Sequence, residues 1–499
     1  MKKIIKVIII MMIGTAWLNI STLNEIQAQS KIDNLLERTA NRQGIPGISV
    51  AITGYNSETI FSSYGLARRG GEVPINEDTF FGLGSVSKAF SALSVLYLDE
   101  NNEFDFRIED PIQKHIPWLN FNYQDLDFDM KELTIANFIY HTSGLVNAIH
   151  SLSLPPSHGS DASQKIVEIL NNSQLEFRPG ARYDYASSNY IILGLVIQNV
   201  TGMSFEEFTT TRILQPLNLS NTFMFHSDAE EVGTMASAHK PIWFVSRPFN
   251  PPTFQAHTPT GFIISNAYDM SNWINLILNP ENAPAPFNTL LVRALEANKE
   301  VDAWEGYYYA AGWLIEYETG KIRHQGESPG FMSEVVIFPE SGIGIVVLKN
   351  SLAGDTANLI ANILLILDGI EAVYISAGSE FILFDTIFAI VIWISTFAII
   401  ILTLLVVKKI VAIKNNSVDL LKPRVGNIIN IAFALSLFMI SLIVTLLFPS
   451  FFGVGTWAIA NIWIAYTVLK GLILLMITSI LWIILASLGI AFNKPKRKI

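Results

Sequence analysis

Three long apolar segments near the carboxyl end limit the folds open to this chain more than any other feature. They cover about 387–407, 428–448 and 472–492, and none has a charged residue in its interior. Each is about 21 residues long, enough to cross a hydrocarbon layer of ~30 Å at about 1.5 Å per residue. A buried helix of a globular domain is rarely so long and so uniformly apolar. The pattern predicts a membrane region at 387–499 with three transmembrane helices.

Charge is partitioned between this region and the rest of the chain. Residues 381–499 contain ten lysines and arginines against two aspartates, a net charge of +8, whereas residues 30–380 carry −20. Most of the cations follow the first and third segments, and positive flanks favour the cytoplasmic side of a membrane. The residues before Asp385 and the connection 449–470 are therefore expected outside the cell. An acidic exported region is not expected to bind nucleic acid, which requires a basic surface.

The amino-terminal segment has the layout of a secretory signal. Residues 1–6 are basic, residues 7–18 are apolar, and a polar stretch leads to Ala28. This order predicts a signal peptide over 1–28, with an uncleaved membrane anchor as the alternative. The chain has no cysteine, which excludes a disulfide framework and zinc sites built on thiolates.

Residues 30–370 are expected to form a domain outside the membrane, followed by a linker at 371–386. Apolar and β-branched runs at both ends of this region predict antiparallel strands, and the sequence between them favours helix and loop. Strands are predicted at 47–52, 59–65, 310–317, 334–338 and 343–348, and helices at 190–201 and 270–278. The turn 339–342 joins the last two strands into a hairpin. A sheet built from both ends around a helical insertion is an α/β sandwich.

Ser85 is the strongest candidate nucleophile. It follows the glycine-containing run 80–84 and precedes Lys88 by three residues at the start of an amphipathic helical stretch. Positions i and i+3 share a helix face at about 5–6 Å, which brings a lysine amine to a serine hydroxyl. A second Ser-x-x-Lys, at Ser237 and Lys240, lies in a polar stretch without a glycine approach, and we interpret it as a chance match.

Tyr185 and Ser187 lie in a polar loop that follows a Pro-Gly turn and precedes a helix. A tyrosine normally titrates near ~10, but a lysine ammonium beside it would favour the phenolate. Tyr185 is therefore a candidate general base. The alternative is a core tyrosine beside a helix cap.

The stretch His324-Gln325-Gly326-Glu327 is a candidate substrate-binding strand. A glycine in a strand often marks close backbone approach. His324 can polarise a substrate group, and the Glu327 N–H can complete an oxyanion hole with that of Ser85. A further loop, residues 140–145, either shapes the cleft or caps a helix.

The ordered set Ser85-x-x-Lys88, Tyr185-x-Ser187 and His324-x-Gly326 resembles the motif triplet of the serine β-lactamase and penicillin-binding protein superfamily. It is most similar to the class C and D-alanyl-D-alanine carboxypeptidase-like branch. The resemblance covers about residues 30–365. Further landmarks of the superfamily lie at 141–145, 179–180, 215–217 and 260–261. The implied fold is a β-lactamase-like sandwich over 30–370, here followed by three transmembrane helices.

The resemblance implies a role for each site residue. Ser85 would form an acyl-enzyme, and Lys88 and Tyr185 would shuttle its proton. Ser187, His324, Gly326 and Glu327 would bind the substrate, the last through its backbone amide in the oxyanion hole. No metal or cofactor is implied.

Two of these positions depart from the commonest pattern of the superfamily. Ser187 stands where asparagine is usual, and its shorter side chain would weaken contact with a substrate amide. His324 stands in place of a lysine, as it does in the carboxypeptidase-like branch and in related esterases, and this removes a fixed cation.

The expected function is that of a serine hydrolase anchored in a bacterial cell membrane, with its catalytic domain outside the cytoplasm. Its substrates would be D-amino-acid peptides of peptidoglycan, β-lactams, or related amides and esters. One alternative is an esterase or peptidase with no cell-wall role. Another is a weakly catalytic ligand-binding sensor that signals through the three spans.

Overall fold

A computed structural model describes residues 26–55, 58–125, 127–146, 159, 161–373, 380–415, 418–420, 425–451, 456–463 and 466–495. The described residues fall into two units. The first comprises those up to His239 together with Ser246–Ser379, and the second comprises Lys240–Val245 with Glu380–Ile499. Most of the predicted signal peptide, residues 1–25, lies outside the described residues, so it stays a prediction.

The first unit is built on an eight-stranded antiparallel sheet with the order β2-β1-β12-β11-β10-β9-β8-β7. Strands from both ends of the unit lie side by side in this sheet, because β1 pairs with β12. A sheet built from both ends was predicted. The strands of the chain are β1 (Gly47–Tyr55), β2 (Glu58–Gly65), β3 (Phe81–Gly82), β4 (His239–Ile242), β5 (Val245–Pro248), β6 (Ile264–Ser265), β7 (Asn298–Trp304), β8 (Tyr307–Tyr309), β9 (Leu314–Glu316), β10 (Ile322–Ser328), β11 (Phe331–Phe338), β12 (Ile343–Lys349), β13 (Val418–Leu420) and β14 (Phe492–Pro495).

Helices cover both faces of this sheet. Successive side chains of a strand point to opposite faces. On β2, Ser62 donates a hydrogen bond to Asp33 of the first helix, while the neighbouring Phe61 ring stacks on Tyr268 of a later helix. The helices of the unit are α1 (residues 26–43), α2 (Ser87–Glu100), α3 (Ile112–His115), α4 (Ile135–Ile139), α5 (Ala162–Leu170), α6 (Ser187–Thr201), α7 (Phe205–Thr209), α8 (His226–Val232), α9 (Ala267–Leu278), α10 (Phe287–Ala294) and α11 (Thr356–Leu367). The predicted α/β sandwich is confirmed.

Most predicted elements are present, but the single strand predicted at 310–317 is wrong. Only the short strand β9 lies in that range, and a bend separates it from β8, which ends at Tyr309. Gly312 in the bend has a φ of 82°, and a Cβ at this position would lie 2.5 Å from the Cα of Ala89. The strand is therefore interrupted because the backbone turns to pack against α2. Strand β7 was not predicted either, since its largely exposed residues give no apolar alternation.

The second unit contains three helices long and apolar enough to cross a membrane, judged by length and composition. They span Ile382–Lys414, Gly426–Ser450 and Thr467–Leu488. The predicted segments fall largely within them. Their full extents are α12 (Glu380–Lys414), α13 (Val425–Phe451) and α15 (Thr467–Ala491), with the short α14 (Trp457–Trp463) between the last two.

A buried carboxylate organises part of this unit. Asp385 of α12 accepts hydrogen bonds from the backbone N–H groups of Trp243 at 3.3 Å and Phe244 at 2.6 Å, and from the Thr467 hydroxyl at 2.8 Å. Trp243 and Phe244 have φ values of 56° and 69°, which bulky residues rarely adopt. The carboxylate thus accepts hydrogen bonds from both backbone N–H groups of a turn in the left-handed conformation.

Candidate active site

Ser85 lies in a single helical turn, Gly84–Val86, which leads directly into α2. A hydrogen bond fixes the residue before this turn to the sheet, because Ser333 Oγ of β11 donates to the Leu83 carbonyl at 2.5 Å. Leu83 and Val86 on either side of the serine are fully buried. These buried apolar neighbours fix the backbone of Ser85, while Ser85 itself lines an open cleft.

Lys88 lies one helical turn later, as predicted, and its side chain is completely buried. Its Nζ is 3.1 Å from Ser85 Oγ and donates to the Thr260 carbonyl at 2.7 Å. Burial lowers the pKa of Lys88 well below its usual value. A neutral amine carries a lone pair that can accept the Ser85 proton, so this arrangement is able to activate a serine nucleophile.

Tyr185 completes this group. Its hydroxyl lies beside the side chains of Ser85 and Ser187, and its ring centre is 4.9 Å from Lys88 Nζ. Burial raises the pKa of Tyr185 above its usual value. The expected phenolate beside a lysine ammonium is therefore wrong for the free site, because desolvation favours the neutral form of both groups. Tyr185 is placed to relay a proton, with the amine as the initial base.

Two glycines allow the Ser85 turn to approach β10 closely. Gly84 has a φ of 53°, and a Cβ there would lie 2.2 Å from the Glu327 nitrogen. A Cβ on Gly326 would lie 2.0 Å from the Leu83 carbonyl oxygen and 3.0 Å from the Ser85 nitrogen. The backbone amides of Ser85 and Glu327 are thereby brought to the same place. This is the paired-donor arrangement expected of an oxyanion hole.

The edge of β10 beside the nucleophile is open. Its pairing with β9 involves only Ile322 and Arg323, whereas its pairing with β11 continues to Ser328. Backbone groups from His324 onward are thus left for a substrate on that side. A bound peptide or acyl amide can hydrogen-bond to such an edge as an added strand.

His324 is buried, as the side-chain alternation along β10 requires. Its Nδ1 is 2.7 Å from the Gln325 carbonyl oxygen, and its Nε2 is 3.4 Å from the Tyr309 hydroxyl. Burial is the main cause that lowers the pKa of His324 to about 3. The ring is neutral near pH 7, so it offers no fixed cation to a substrate carboxylate.

The cleft beside Ser85 has a volume of about 490 Å³. It brings together four of the predicted site residues, Ser85, Tyr185, His324 and Glu327. Ser187 lies beside Tyr185. Lys88 and Gly326 lie next to Ser85 but do not line the cleft. The remaining lining residues are Trp304, Glu305, Tyr307, Leu314, Arg323 and Gln325.

Sequence reasoning missed the wall that β7 and β8 build on one side of the cleft. Trp304 and Tyr307 flank the turn between these strands, and the Trp304 ring stacks 6.3 Å from that of Tyr185. The aromatic run that ends at Tyr309 was the available signal. The Thr260 carbonyl gave none, because a backbone acceptor has no side-chain signature.

A buried lysine amine beside a serine hydroxyl and a tyrosine defines a class of protein: the α/β serine hydrolases in which an amine activates the nucleophile. Residues 32–368 match the family model "Beta-lactamase", so the chain belongs to the beta-lactamase family.

Within the described residues, no three His, Asp or Glu side chains are grouped to hold a metal ion.

Several known proteins are similar to this chain. Protein flp of Staphylococcus aureus (strain NCTC 8325 / PS 47) is 26% identical over 329 residues, which are 65% of this chain and 63% of flp. The chain thus spans less than two thirds of that relative. A beta-lactamase of Yersinia enterocolitica is 25% identical over 362 residues, covering 66% of this chain and 88% of the enzyme.

A solved structure shares the fold. The octameric penicillin-binding protein homologue from Pyrococcus abyssi superimposes with a TM-score of 0.58 at 20% identity. The superposition covers 72% of this chain and 81% of that one. The β-lactamase-like sandwich is therefore established for the first unit.

Proposed function

We propose that this protein is a membrane-anchored serine hydrolase that forms an acyl-enzyme on Ser85. Its substrates are D-amino-acid peptides of the cell wall, β-lactams, or related amides and esters, as in the class C and D-alanyl-D-alanine carboxypeptidase-like branch. The observation that carries the proposal is the 3.1 Å separation of Lys88 Nζ and Ser85 Oγ in a buried site beside an open strand edge.

The geometry supports a two-step acyl transfer. Lys88 accepts the hydroxyl proton as Ser85 Oγ bonds to the substrate carbonyl carbon, and the Ser85 and Glu327 amides bind the resulting oxyanion. The bond from this carbon to the leaving nitrogen or oxygen then breaks, and Tyr185 relays the proton to the leaving atom. Water next attacks the acyl carbon and gives a proton to the Lys88–Tyr185 pair, and the bond from this carbon to Ser85 Oγ breaks to release the acid. Ser85 regains its proton.

The charges of the cleft favour a second candidate, an esterase or amidase acting on substrates without a carboxylate. His324 is neutral, and Arg323 is paired with the buried Glu334 at 2.6 Å. Glu305 and Glu327 also line the cleft. A carboxylate beside the scissile bond therefore meets no uncompensated cation among these lining residues.

A panel of acyl donors tests the proposal and separates the candidates. The full-length protein in detergent is incubated with a β-lactam, a D-Ala-D-Ala peptide and a short-chain ester, and the mass of the Ser85 peptide is measured. A penicilloyl or peptidyl adduct supports the cell-wall assignment. Ester turnover without penicillin labelling supports the esterase. No adduct and no turnover with any donor refutes the hydrolase and leaves the ligand-binding sensor.

We further propose that the catalytic unit lies outside the cytoplasm, with the connection after the first span inside. This rests on the positive flanks of the predicted spans. The chain has no native cysteine, so single cysteines report topology directly. A membrane-impermeant maleimide on intact cells should label the exposed Glu231→Cys and leave Asn415→Cys unlabelled until the cells are lysed. The reverse pattern would contradict this orientation.

A further inference from the structure

His141 is a buried histidine with an unusual backbone. It lies just after α4 with a φ of 56°, in the left-handed region that residues other than glycine seldom occupy. Such conformations persist only where the surrounding structure holds them, and they concentrate at functional sites. The resemblance to the superfamily marks residues 141–145 as a landmark of sequence but assigns His141 no step in acyl transfer.

One residue holds both peptide neighbours of Tyr185. The His141 carbonyl accepts the N–H of Asp184 at 2.9 Å, and its Nδ1 accepts the N–H of Ala186 at 3.1 Å. The imidazole ring packs against the Tyr185 ring with 4.4 Å between centroids. The left-handed backbone is the conformation in which the carbonyl and the ring of His141 both reach this short segment.

The imidazole is itself held in place. Asn189 Nδ2 lies 3.0 Å from His141 Nδ1, and Asn189 Oδ1 accepts the Ser143 hydroxyl at 2.8 Å. Burial is the main cause that lowers the pKa of His141 well below its usual value, so the ring stays neutral. Because Nδ1 accepts the Ala186 N–H, the ring proton is assigned to Nε2. Nδ1 thus remains an acceptor over the working pH range.

We propose that His141 is the positioning residue for Tyr185, fixing the tyrosine hydroxyl against Ser85 through the two backbone bonds and the ring contact. This inference rests on the proposed acyl-transfer function. The hydroxyl of Tyr185 must stay within hydrogen-bond reach of Ser85 to relay a proton, and a displacement of about 1 Å can cost ~10²-fold in rate. His141 acts through Tyr185 and contacts no reacting atom.

Three substitutions separate the acceptor atom from the backbone conformation. His141→Leu removes the acceptor and opposes the left-handed backbone, whereas His141→Gly permits this backbone but also lacks the acceptor. His141→Asn permits it and supplies Oδ1 near the position of Nδ1. We expect the acylation rate constant per folded molecule to fall about 10²-fold for the leucine and glycine variants. We expect it to stay within about tenfold of wild type for the asparagine variant.

Coupling to Tyr185 gives the decisive readout. In a Tyr185→Phe background the hydroxyl is already gone, so adding His141→Gly should cost less than about twofold. Thr209→Val is the control for loss of a buried hydrogen bond, since it breaks the 3.1 Å contact with Ser94 on the far part of α2. It should lower the unfolding temperature without changing the acylation rate.

The outcomes are distinguishable. Equal rates for wild type and His141→Gly, or full additivity with Tyr185→Phe, would overturn the positioning role while leaving the acyl-enzyme intact. If none of the tested acyl donors acylates the wild-type protein, the proposed function itself is refuted. If His141→Leu fails to fold, the asparagine and glycine pair still decides the question, because both accept the native backbone.

Discussion

Ser85→Ala should abolish covalent labelling by every acyl donor that labels the wild type. The hydroxyl oxygen is the atom that bonds to the substrate carbonyl, and the described site places no other side-chain oxygen at once beside the Lys88 amine and the paired amides of Ser85 and Glu327. Loss of a nucleophile of this kind costs at least about 10⁴-fold in turnover. Intact-protein mass spectrometry after incubation with the donor measures the adduct directly.

The chain supplies a matched control for this experiment. Ser237 begins the second Ser-x-x-Lys, but its partner lysine donates to the Asn461 carbonyl and belongs to a different unit. Ser237→Ala should label at the wild-type rate. An adduct that persists in Ser85→Ala, or that disappears in Ser237→Ala, would reassign the nucleophile.

Contacts between residues close together on one helix could be predicted from the sequence. Ser85 and Lys88 are three residues apart on one helix, so their contact follows from helical spacing alone. Tyr185 and His324 lie far from this pair in sequence. Their position beside Ser85 and Lys88 was expected only because the motif order resembles that of a known superfamily. The second copy of the pattern was set aside because it lacks a glycine approach, and labelling of Ser237→Ala tests that interpretation.

The protonation states of the site were beyond reach of the sequence. A lysine and a tyrosine side by side suggest an ion pair, and that was the expectation for Lys88 and Tyr185. The structure buries both, and desolvation then moves the two pKa values in the directions that favour the neutral forms. Burial is a property of tertiary packing, which spacing along the chain does not report.

The assignment of residues to the two units also depends on tertiary packing, which the sequence does not report. Lys240–Val245 lies in the middle of the predicted catalytic domain but groups with the three long apolar helices. Its turn residues Trp243 and Phe244 are bound by Asp385, more than 140 positions away in sequence. A pair of aromatic residues in a hairpin turn carries no sequence signal for such a contact, since turns of this kind normally favour glycine or asparagine.

Lys88→Met should lower the acylation rate by about 10²-fold or more and change its dependence on pH. In the wild type, the rate should rise with pH as the amine loses its proton, and level off above a pKa that burial holds well below 10.5. Methionine has a similar shape and cannot take the proton. The rise attributable to the amine should therefore disappear, which single-turnover labelling across a pH series measures.

The same substitution should leave the fold as stable as the wild type or more stable, which separates the catalytic loss from misfolding. The folded-state pKa of Lys88 lies below its unfolded value, so the protonated lysine opposes folding at every pH below the unfolded pKa. This cost lessens as pH rises toward the unfolded pKa, and methionine removes it. The thermal midpoint of Lys88→Met should accordingly equal or exceed that of the wild type near pH 7. A variant that acylates as fast as wild type would eliminate the amine as the base, and a large drop in midpoint would show that Lys88 serves the fold instead.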